Sequence, residues 1–150
     1  MDLIEKLTDK SHDEAYGLFS LSISLEEHRF ALSPWSRNQF FEELELASGL
    51  GYFVGGVLKA FVLFRAMDGG ADITLLVTDP RSRRRGYMKS LLLHLMEKTD
   101  QIHSLRLEVH EKNAPAQGLY CRLGFYKQRV RPNYYRDGGA AWLFEYKCLL

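Results

Sequence analysis

Four arginines and one glycine lie close together between a predicted strand and a predicted helix. They are Arg81, Arg83, Arg84, Arg85 and Gly86. Guanidinium groups bind anions through paired N–H donors, and the start of a helix adds free backbone N–H groups and a partial positive charge. Phosphate is the anion that suits these donors best. The turn therefore predicts a site for a ligand that carries phosphate.

Two other interpretations of this arginine-rich turn stay open. Such a turn is often only solvated surface, and a single glycine is a weak signature of a phosphate loop. Clustered arginines also bind nucleic acid without sequence preference. However, the formal net charge of the chain is +1, whereas a nucleic-acid-binding domain usually has a strongly basic face. The pattern favours a small phosphorylated ligand and no nucleic-acid partner.

Apolar residues on both sides of the turn predict the strand and the helix that hold it. Before the turn, Ile73, Leu75 and Val77 alternate with other residues and Leu76 extends the apolar run, which is typical of a largely buried strand. After the turn, apolar residues recur with the period of a helix and mark one of its faces. These residues are Met88, Leu91, Leu92, Leu95 and Met96.

Length and composition limit the class of protein. The chain has 150 residues with ordinary proportions of charged and apolar types, which predicts one domain over residues 1–150. The chain has no apolar run of membrane-spanning length and no signal-peptide core at its N-terminus, so we expect a cytoplasmic protein without a membrane partner. Cys121 and Cys148 are predicted to be reduced packing residues, with a reactive Cys121 as the alternative, and neither a disulfide nor a metal site is expected.

Capping signals predict the first two helices. After a short strand over residues 2–8, the spacing of Ser11–Glu14 matches a capping box that opens a helix. A second capping box over Ser36–Gln39 opens a helix over residues 37–47, which ends before two nearby glycines. The apolar face of the first helix is predicted to contain Ala15, Leu18, Phe19 and Ser22, and the glycines are Gly49 and Gly51.

Trp35 directly precedes the second capping box and has two interpretations. It can form a hydrophobic staple with Phe40, one turn into the helix. An aromatic residue at a junction between a loop and a helix can also form the wall of a pocket. The sequence is consistent with a staple and with a pocket wall.

Strand patterns and turns predict a mixed sheet. Residues 52–55 and 56–66 form a hairpin that turns near Gly55 and Gly56, and a strand over residues 71–78 follows. Short turns between these strands predict antiparallel pairing. The strand, helix and strand that follow one another from residue 71 require a right-handed crossover and a parallel pair. The fold class is therefore α/β, a mixed sheet with helices on its faces.

The last part of the chain contributes three more strands and a helix. The strands are predicted over residues 104–110, 125–131 and 141–148. The helix between the first two of them is capped by Asn113 and stopped by Gly124, with Pro115 in its first turn.

Two residues in this part could do chemistry. Alternation in the strand over residues 104–110 places Glu108 and His110 on the face opposite the apolar residues. Glu108 could simply form an ion pair with Arg106 or face solvent. By periodicity alone, Tyr120 is a core tyrosine of the following helix.

Several motifs together resemble the GCN5-related N-acetyltransferase (GNAT) superfamily. Within it, the chain is most similar to the bacterial ribosomal-protein-alanine N-acetyltransferases (RimI type). The resemblance covers nearly the whole chain in the right order. The motifs are Val77-Thr-Asp-Pro80, Arg83-Arg-Arg-Gly86-Tyr-Met88, Leu107-Glu-Val109, Asn113-Ala-Pro-Ala, Leu119-Tyr120, Leu123-Gly-Phe125, Pro34-Trp-Ser36 and Arg131-Pro-Asn-Tyr-Tyr135.

The resemblance implies a sheet of about seven mostly antiparallel strands, a parallel pair at the cofactor site and about four helices. It also implies that the phosphorylated ligand is acetyl-CoA, without a metal. The pyrophosphate would bind the turn, and the strand before it would pair with the pantetheine. At Met88 the family expects Gly or Ala, and the apolar face of the helix suggests that this side chain turns inward. The cofactor residues implied are Leu75, Leu76, Val77, Arg83, Arg84, Arg85, Gly86, Tyr87, Met88, Lys89 and Asn113.

The family's catalytic groups match Glu108 as general base and Tyr120 as general acid, and His110 is a rival base. Tyr134 and Tyr135 match a pair that holds the acceptor, and the loop ending at Trp35 would form the opposite wall. The subfamily's acceptor is the N-terminal alanine of a small-subunit ribosomal protein. A small amine, a lysine side chain or a non-catalytic CoA-binding module remain alternatives. We expect a monomer or a weak homodimer.

Overall fold

The computed structural model of the chain describes residues 1–30, 35–97 and 103–147, with the side chains of residues 25–30 left out. In these residues, seven strands form one sheet in the order β1-β2-β3-β4-β5-β7-β6, and four α-helices pack on its faces. All neighbouring strands are antiparallel except the pair β4 and β5. The predicted fold class, including the parallel pair, is confirmed.

The strands are β1 (Asp2–Lys6), β2 (Ser48–Val54), β3 (Val57–Met67), β4 (Gly70–Thr78), β5 (Ser104–His110), β6 (Tyr126–Arg131) and β7 (Ala141–Lys147). The helices are α1 (His12–Phe30), α2 (Arg37–Leu46), α3 (Tyr87–Glu97) and α4 (Ala114–Arg122). Short 3-10 turns over Asp9–Ser11 and Pro80–Ser82 precede α1 and α3.

Each face of the sheet has its own hydrophobic core. One core contains the apolar side of α3 and the ring of Tyr120 from α4, and the other contains apolar residues of α1 and α2. The predicted face of α3 is confirmed, because four of its residues are buried and Met88 packs against the same core. The predicted face of α1 is buried as well. The buried residues of α3 are Leu91, Leu92, Leu95 and Met96.

The strands β4 and β5 separate soon after they meet. Ala71 pairs with Leu105 and Asp72 with Arg106, and no further pair joins these strands within the described residues. Beyond these pairs β5 continues along β7, while β4 continues along β3. A cleft opens between the separating strands. The backbone groups of β4 that face it have no strand partner on that side.

A bulge in β4 changes the faces that its side chains occupy. Leu63 of β3 pairs with Leu75 and Phe64 pairs with Ile73, so Thr74 is the extra residue. Ile73 belongs to the core under α3, whereas Leu75 packs against the core under α1 and α2. The predicted strand is confirmed and largely buried, but the alternating residues Ile73, Leu75 and Val77 do not all lie on one face. The inserted residue reverses the alternation.

The strand β2 begins earlier than predicted. Gly49 and Gly51 do not end a helix but lie inside this strand. A Cβ atom added at Gly49 would be 2.9 Å from a methyl carbon of Leu7, and one at Gly51 would be 2.8 Å from the other. The two glycines are therefore explained by the close approach of Leu7.

The two predicted capping boxes have different outcomes. Ser36 and Gln39 form theirs, with Ser36 N–H donating to Gln39 Oε1 at 2.7 Å and Gln39 N–H donating to Ser36 Oγ at 3.1 Å. The box at Ser11–Glu14 is wrong. The Ser11 hydroxyl bonds the backbone of Thr8, and Glu14 accepts the N–H of Leu58 in β3 at 2.7 Å. A long-range partner has replaced the local one.

Several smaller predictions can be compared with the structure. The hairpin between β2 and β3 turns at Gly55 and Gly56, whose φ angles are +57° and +81°. Cys121 is exposed, so its predicted packing role is wrong, and Cys148 lies outside the described residues. In the described part of the chain, no helix is long and apolar enough to cross a membrane. No group of three or more potential metal ligands occurs there either.

Candidate active site

The cleft between β4 and β5 collects most of the side chains that the sequence singles out. Its volume is about 810 Å³. The walls come from β4, β5, α1, α4 and the loop between β6 and β7, so distant parts of the chain meet here. The predicted site residues that line the cleft are Trp35, Leu75, Leu76, Glu108, His110, Asn113, Tyr120, Tyr134 and Tyr135.

Glu108 extends from the middle of β5 into the cleft. Its carboxylate lies 3.7 Å from the guanidinium of Arg131, and its side chain is 32% exposed. The alternative partner from the sequence, Arg106, instead lies 3.0 Å from Asp72. The Glu108 carboxylate also lies close enough to Tyr134 to raise the pKa of its hydroxyl. The carboxylate is thus oriented by its neighbours and still reached by solvent.

Tyr134 and Tyr135 form the wall next to Glu108. Their rings meet edge to face, with centroids 5.1 Å apart. Burial and the nearby Glu108 carboxylate raise the pKa of Tyr135 to about 12, and the same causes raise the pKa of Tyr134. Both hydroxyls therefore remain protonated at neutral pH and can serve as hydrogen-bond donors.

His110 is tied to the loop that carries the two tyrosines. It is 2% exposed, and its ring stacks on Tyr135 at a centroid distance of 4.7 Å. Its Nε2 lies 2.8 Å from the carboxylate of Asp137, and its Nδ1 accepts the N–H of Lys112 at 3.0 Å. In this arrangement a neutral ring carries its proton on Nε2. Both ring nitrogens are engaged, which argues against His110 as the rival base.

Tyr120 is a core tyrosine, as its periodicity predicts, and its role as general acid stays a prediction. It is 6% exposed and packs in the core under α3, with Phe125 at 5.8 Å and Phe144 at 6.1 Å between ring centroids. It also borders the cleft. Packing on two sides fixes the ring, which suits a group that must transfer a proton in one direction.

Trp35 also combines two roles. It packs against the core that contains Phe40, with its ring 6.3 Å from that of Phe19, and it lines the cleft. The preceding residues 31–34 of the predicted opposite wall lie outside the described residues.

The arginine-rich turn divides into a structural and an exposed part. Asp79 is 1% exposed. Its carboxylate accepts hydrogen bonds from Nε and Nη2 of Arg81, each at 2.9 Å, and from the backbone N–H of Arg81 at 3.0 Å. The hydrogen bonds from Arg81 hold the pKa of Asp79 below its usual value. Arg83, Arg84 and Arg85 are exposed. The Arg81 side chain is 74% exposed as well, but its guanidinium is paired with Asp79. The anion site at the other three arginines stays a prediction.

Gly86 opens α3 in a conformation that favours glycine, with φ of +78°. It has no side chain with which to cap the helix. The N–H groups of Tyr87, Met88 and Lys89 have no acceptor within the helix, whereas Ser90 N–H bonds Gly86 O at 3.0 Å. Met88 points into the core as predicted. The helix start therefore presents backbone donors beside exposed arginines.

Sequence reasoning missed several residues of the site. Asp137, Arg131 and Asp72 orient His110, Glu108 and Arg106 respectively. Each of these partners is distant in the chain from the residue it orients, so local spacing contained no signal for them.

The acetyltransferase (GNAT) family model matches residues 13–125. The chain belongs to this family. Among curated proteins, it is 34% identical over 112 residues to the [ribosomal protein bS18]-alanine N-acetyltransferase of Salmonella typhimurium, covering 73% of this chain and 76% of that protein. It is 31% identical over 112 residues to the Escherichia coli protein of the same name, covering 73% and 76%.

Among solved structures, the crystal structure of the ribosomal-protein-S18-alanine N-acetyltransferase from Escherichia coli matches with a TM-score of 0.84. The two share 28% identity, and the match covers 100% of this chain and 96% of that chain. The protein is thus an acetyl-CoA-dependent N-acetyltransferase.

The acetyltransferase has the features that acetyl-CoA requires. The unpaired edge of β4 can pair with the pantetheine amides, and the uncapped start of α3 offers N–H groups to the pyrophosphate. Asn113 accepts the N–H of Ala116 through Oδ1 at 3.3 Å, which leaves its amide NH₂ to donate. The assignment of individual residues to acetyl-CoA stays a prediction.

The difference between Arg81, which is paired with Asp79, and the exposed Arg84 and Arg85 gives the first expected result. Arg84→Ala combined with Arg85→Ala should weaken acetyl-CoA binding severalfold and make it less sensitive to salt, with little change in thermal stability. Arg81→Ala is the matched control. It should lower the melting temperature, because the buried Asp79 loses its main partner. Calorimetric titration and thermal melts measure both effects. Equal losses of acetyl-CoA affinity in the two variants would show that the division is wrong.

Proposed function

We propose that the protein transfers the acetyl group of acetyl-CoA to the N-terminal α-amino group of a protein, and that its acceptor is the N-terminal alanine of a small-subunit ribosomal protein. The observation that carries this proposal is the position of Glu108 in the cleft, beside the unpaired edge of β4 and next to Tyr134. The similarity to [ribosomal protein bS18]-alanine N-acetyltransferases supports the acceptor.

The cofactor would bind along the side of the cleft that β4 forms. The backbone of Leu75–Val77 would pair with the pantetheine, the N–H groups around Arg83–Lys89 would bind the pyrophosphate, and Asn113 would donate to the cofactor. A backbone N–H at this part of β4 would also stabilise the oxyanion of the tetrahedral intermediate. The thioester carbon would then face Glu108 across the cleft.

The reaction is a direct attack of the amine on the thioester. A C–N bond forms and the C–S bond breaks. Glu108, directly or through a water molecule, takes the proton that the amine loses, and Tyr120 gives a proton to the leaving thiolate. A protein α-amino group has a pKa of about 8 and a lysine one of about 10.4. Because the α-amine is closer to its neutral form at cellular pH, one carboxylate is sufficient as the base.

The acceptor would enter between Trp35 and the tyrosine pair. The hydroxyl groups of Tyr134 and Tyr135 are donors next to Glu108, and they can hold the first peptide carbonyl groups of the acceptor. Phe19 and Ile23 of α1 make the opposite wall apolar. A small apolar first residue fits this combination of walls.

The test compares acceptors in an assay of thiol release. The wild-type protein is given acetyl-CoA with an N-terminal peptide of ribosomal protein bS18, with the same peptide blocked at its α-amine, and with free lysine or polyamines. Turnover with the open peptide alone supports the proposal. Turnover with the blocked peptide indicates a lysine side chain, and turnover with polyamines indicates a small amine. Binding of acetyl-CoA without turnover on any of these would contradict the proposed function.

The contact between Asp137 and His110, which holds the loop that carries Tyr134 and Tyr135, gives a second expected result. Asp137→Asn weakens the bond to His110 and loosens the loop that carries Tyr134 and Tyr135, so we expect KM for the acceptor peptide to rise severalfold while KM for acetyl-CoA stays constant. Steady-state kinetics with each substrate varied in turn measure this. Asp68→Asn, an exposed aspartate at the turn between β3 and β4, is the matched control. A rise in KM for acetyl-CoA alone would rule out this role of the tether.

A further inference from the structure

An ion pair between a buried carboxylate and a half-exposed arginine lies beside the bulge in β4. Glu43 of α2 is 8% exposed. Arg65 of β3 donates through Nε to Glu43 Oε2 at 2.9 Å and through Nη2 to Oε1. The hydrogen bonds from Arg65 are the main cause that lowers the pKa of Glu43. Glu43 is therefore ionised at neutral pH and fixed by a forked contact.

The same carboxylate holds the bulge residue. Thr74 Oγ1 lies 3.0 Å from Glu43 Oε2, and it lies 3.4 Å from the carbonyl oxygen of Leu63. Thr74 is the one residue of this segment that has no partner in the register with β3. Thr74 therefore lacks a regular pairing partner in β3, and its hydroxyl group is instead hydrogen-bonded to Glu43 of α2.

The bulge comes directly before the unpaired part of β4. Thr74, Leu75 and Leu76 all line the cleft. Because a bulge bends its strand and changes where the next groups point, the conformation at Thr74 sets the direction of the Leu76 N–H, which faces the cleft, whereas the N–H of Leu75 faces β3. A shift of the Leu76 donor would change its distance from the thioester carbonyl.

Stability alone is a poor explanation for this arrangement. Taking the Glu43 carboxylate out of water costs free energy, and its contact with the half-exposed Arg65 offsets that cost only in part. An apolar residue at position 43 could fill the same space between α2 and β3. A fixed geometry at the bulge explains why a charged group is placed there.

We propose that Glu43 is a positioning residue: through Thr74 it fixes the bulge in β4 and thereby the backbone N–H of Leu76, which receives the acetyl carbonyl of acetyl-CoA. The proposal rests on the use of acetyl-CoA by the family and on no particular acceptor. Its failure can therefore be distinguished from a failure of the proposed function.

The test replaces Thr74 by valine and by serine. Thr74→Val keeps the shape of the side chain and removes the hydroxyl, whereas Thr74→Ser keeps the hydroxyl. We expect Thr74→Val to lower kcat about tenfold, since small displacements of reacting groups have large effects on rate. It should also weaken acetyl-CoA binding more than CoA binding, and it should speed hydrogen exchange at the amides of Leu75 and Leu76 in the free protein. Thr74→Ser should restore all three values.

Ser22→Ala is the matched control. The Ser22 hydroxyl donates to the carbonyl of Thr78 at 3.2 Å, so this variant also removes a hydrogen bond between a helix and β4, but away from the bulge. It should leave kcat and the ratio of the two affinities unchanged. Wild-type exchange rates and affinities in Thr74→Val would overturn the proposal, and so would an equal loss in Ser22→Ala. Calorimetry and hydrogen exchange require no acceptor, so these readouts remain decisive if the peptide assay fails.

Discussion

Glu108→Gln should lower kcat by about 10²- to 10⁴-fold near neutral pH, the range that a positioned general base usually contributes. Glutamine has nearly the same size and shape as glutamate, so the wall of the cleft should keep its shape. Binding of acetyl-CoA should be unchanged. The loss therefore reports the proton transfer rather than the architecture.

The pH dependence of this variant separates base catalysis from other roles. Above about pH 8 an α-amine begins to lose its proton without help, so the difference in kcat between wild type and Glu108→Gln should become smaller as the pH rises. Glu111→Gln removes the same charge just beyond the end of β5 and serves as the control. If the two rates keep a constant ratio across the pH range, Glu108 is not the base.

Tyr120→Phe should lower kcat by about 10²-fold or more, since the leaving thiolate loses its proton donor. Phenylalanine preserves the packing against Phe125 and Phe144, so the melting temperature should change little. Calorimetry should give the same affinity for CoA as wild type. If departure of the thiolate limits the rate, Tyr120→Phe should also slow transfer less from an acyl donor whose thiol is more acidic than that of CoA.

Tyr146→Phe is the matched control for this experiment. Tyr146 packs against the same core, with its ring 5.6 Å from that of Phe125, and its hydroxyl has no assigned part in the reaction. The two variants remove the same atom from one core. Equal activity of Tyr120→Phe and Tyr146→Phe would show that Tyr120 has only a structural role.

Local signals in the sequence predicted much of this fold. The helical period of α3, the capping box at Ser36 and the stop at Gly124 each depend on residues within about one or two turns of helix. The chain order of strand, helix and strand after β4 predicted the parallel pair. These features need no knowledge of distant residues, and the structure contains them.

The missed features all depend on contacts between distant segments. The carboxylate of Glu14 bonds β3 instead of its own helix, Arg81 pairs with a buried aspartate, and Asp137 reaches back to β5. The bulge at Thr74 is similar, because it is fixed from α2 and β3. Spacing along the chain cannot reveal such partners. The roles of Glu108, Tyr120 and the tyrosine pair came from family resemblance, and the cleft that unites them came from the separation of β4 and β5.

Tandem mass spectrometry of an acceptor peptide tests the proposed chemistry most directly. An N-terminal alanine peptide of ribosomal protein bS18 is incubated with acetyl-CoA and either the wild-type protein or Glu108→Gln, and the acetylated nitrogen is then located by fragmentation. We expect the wild-type protein to add one acetyl group to the α-amine of alanine, and Glu108→Gln to add far less in the same time. Acetylation confined to lysine side chains, or an unmodified peptide in the presence of bound acetyl-CoA, would refute N-terminal transfer by this cleft.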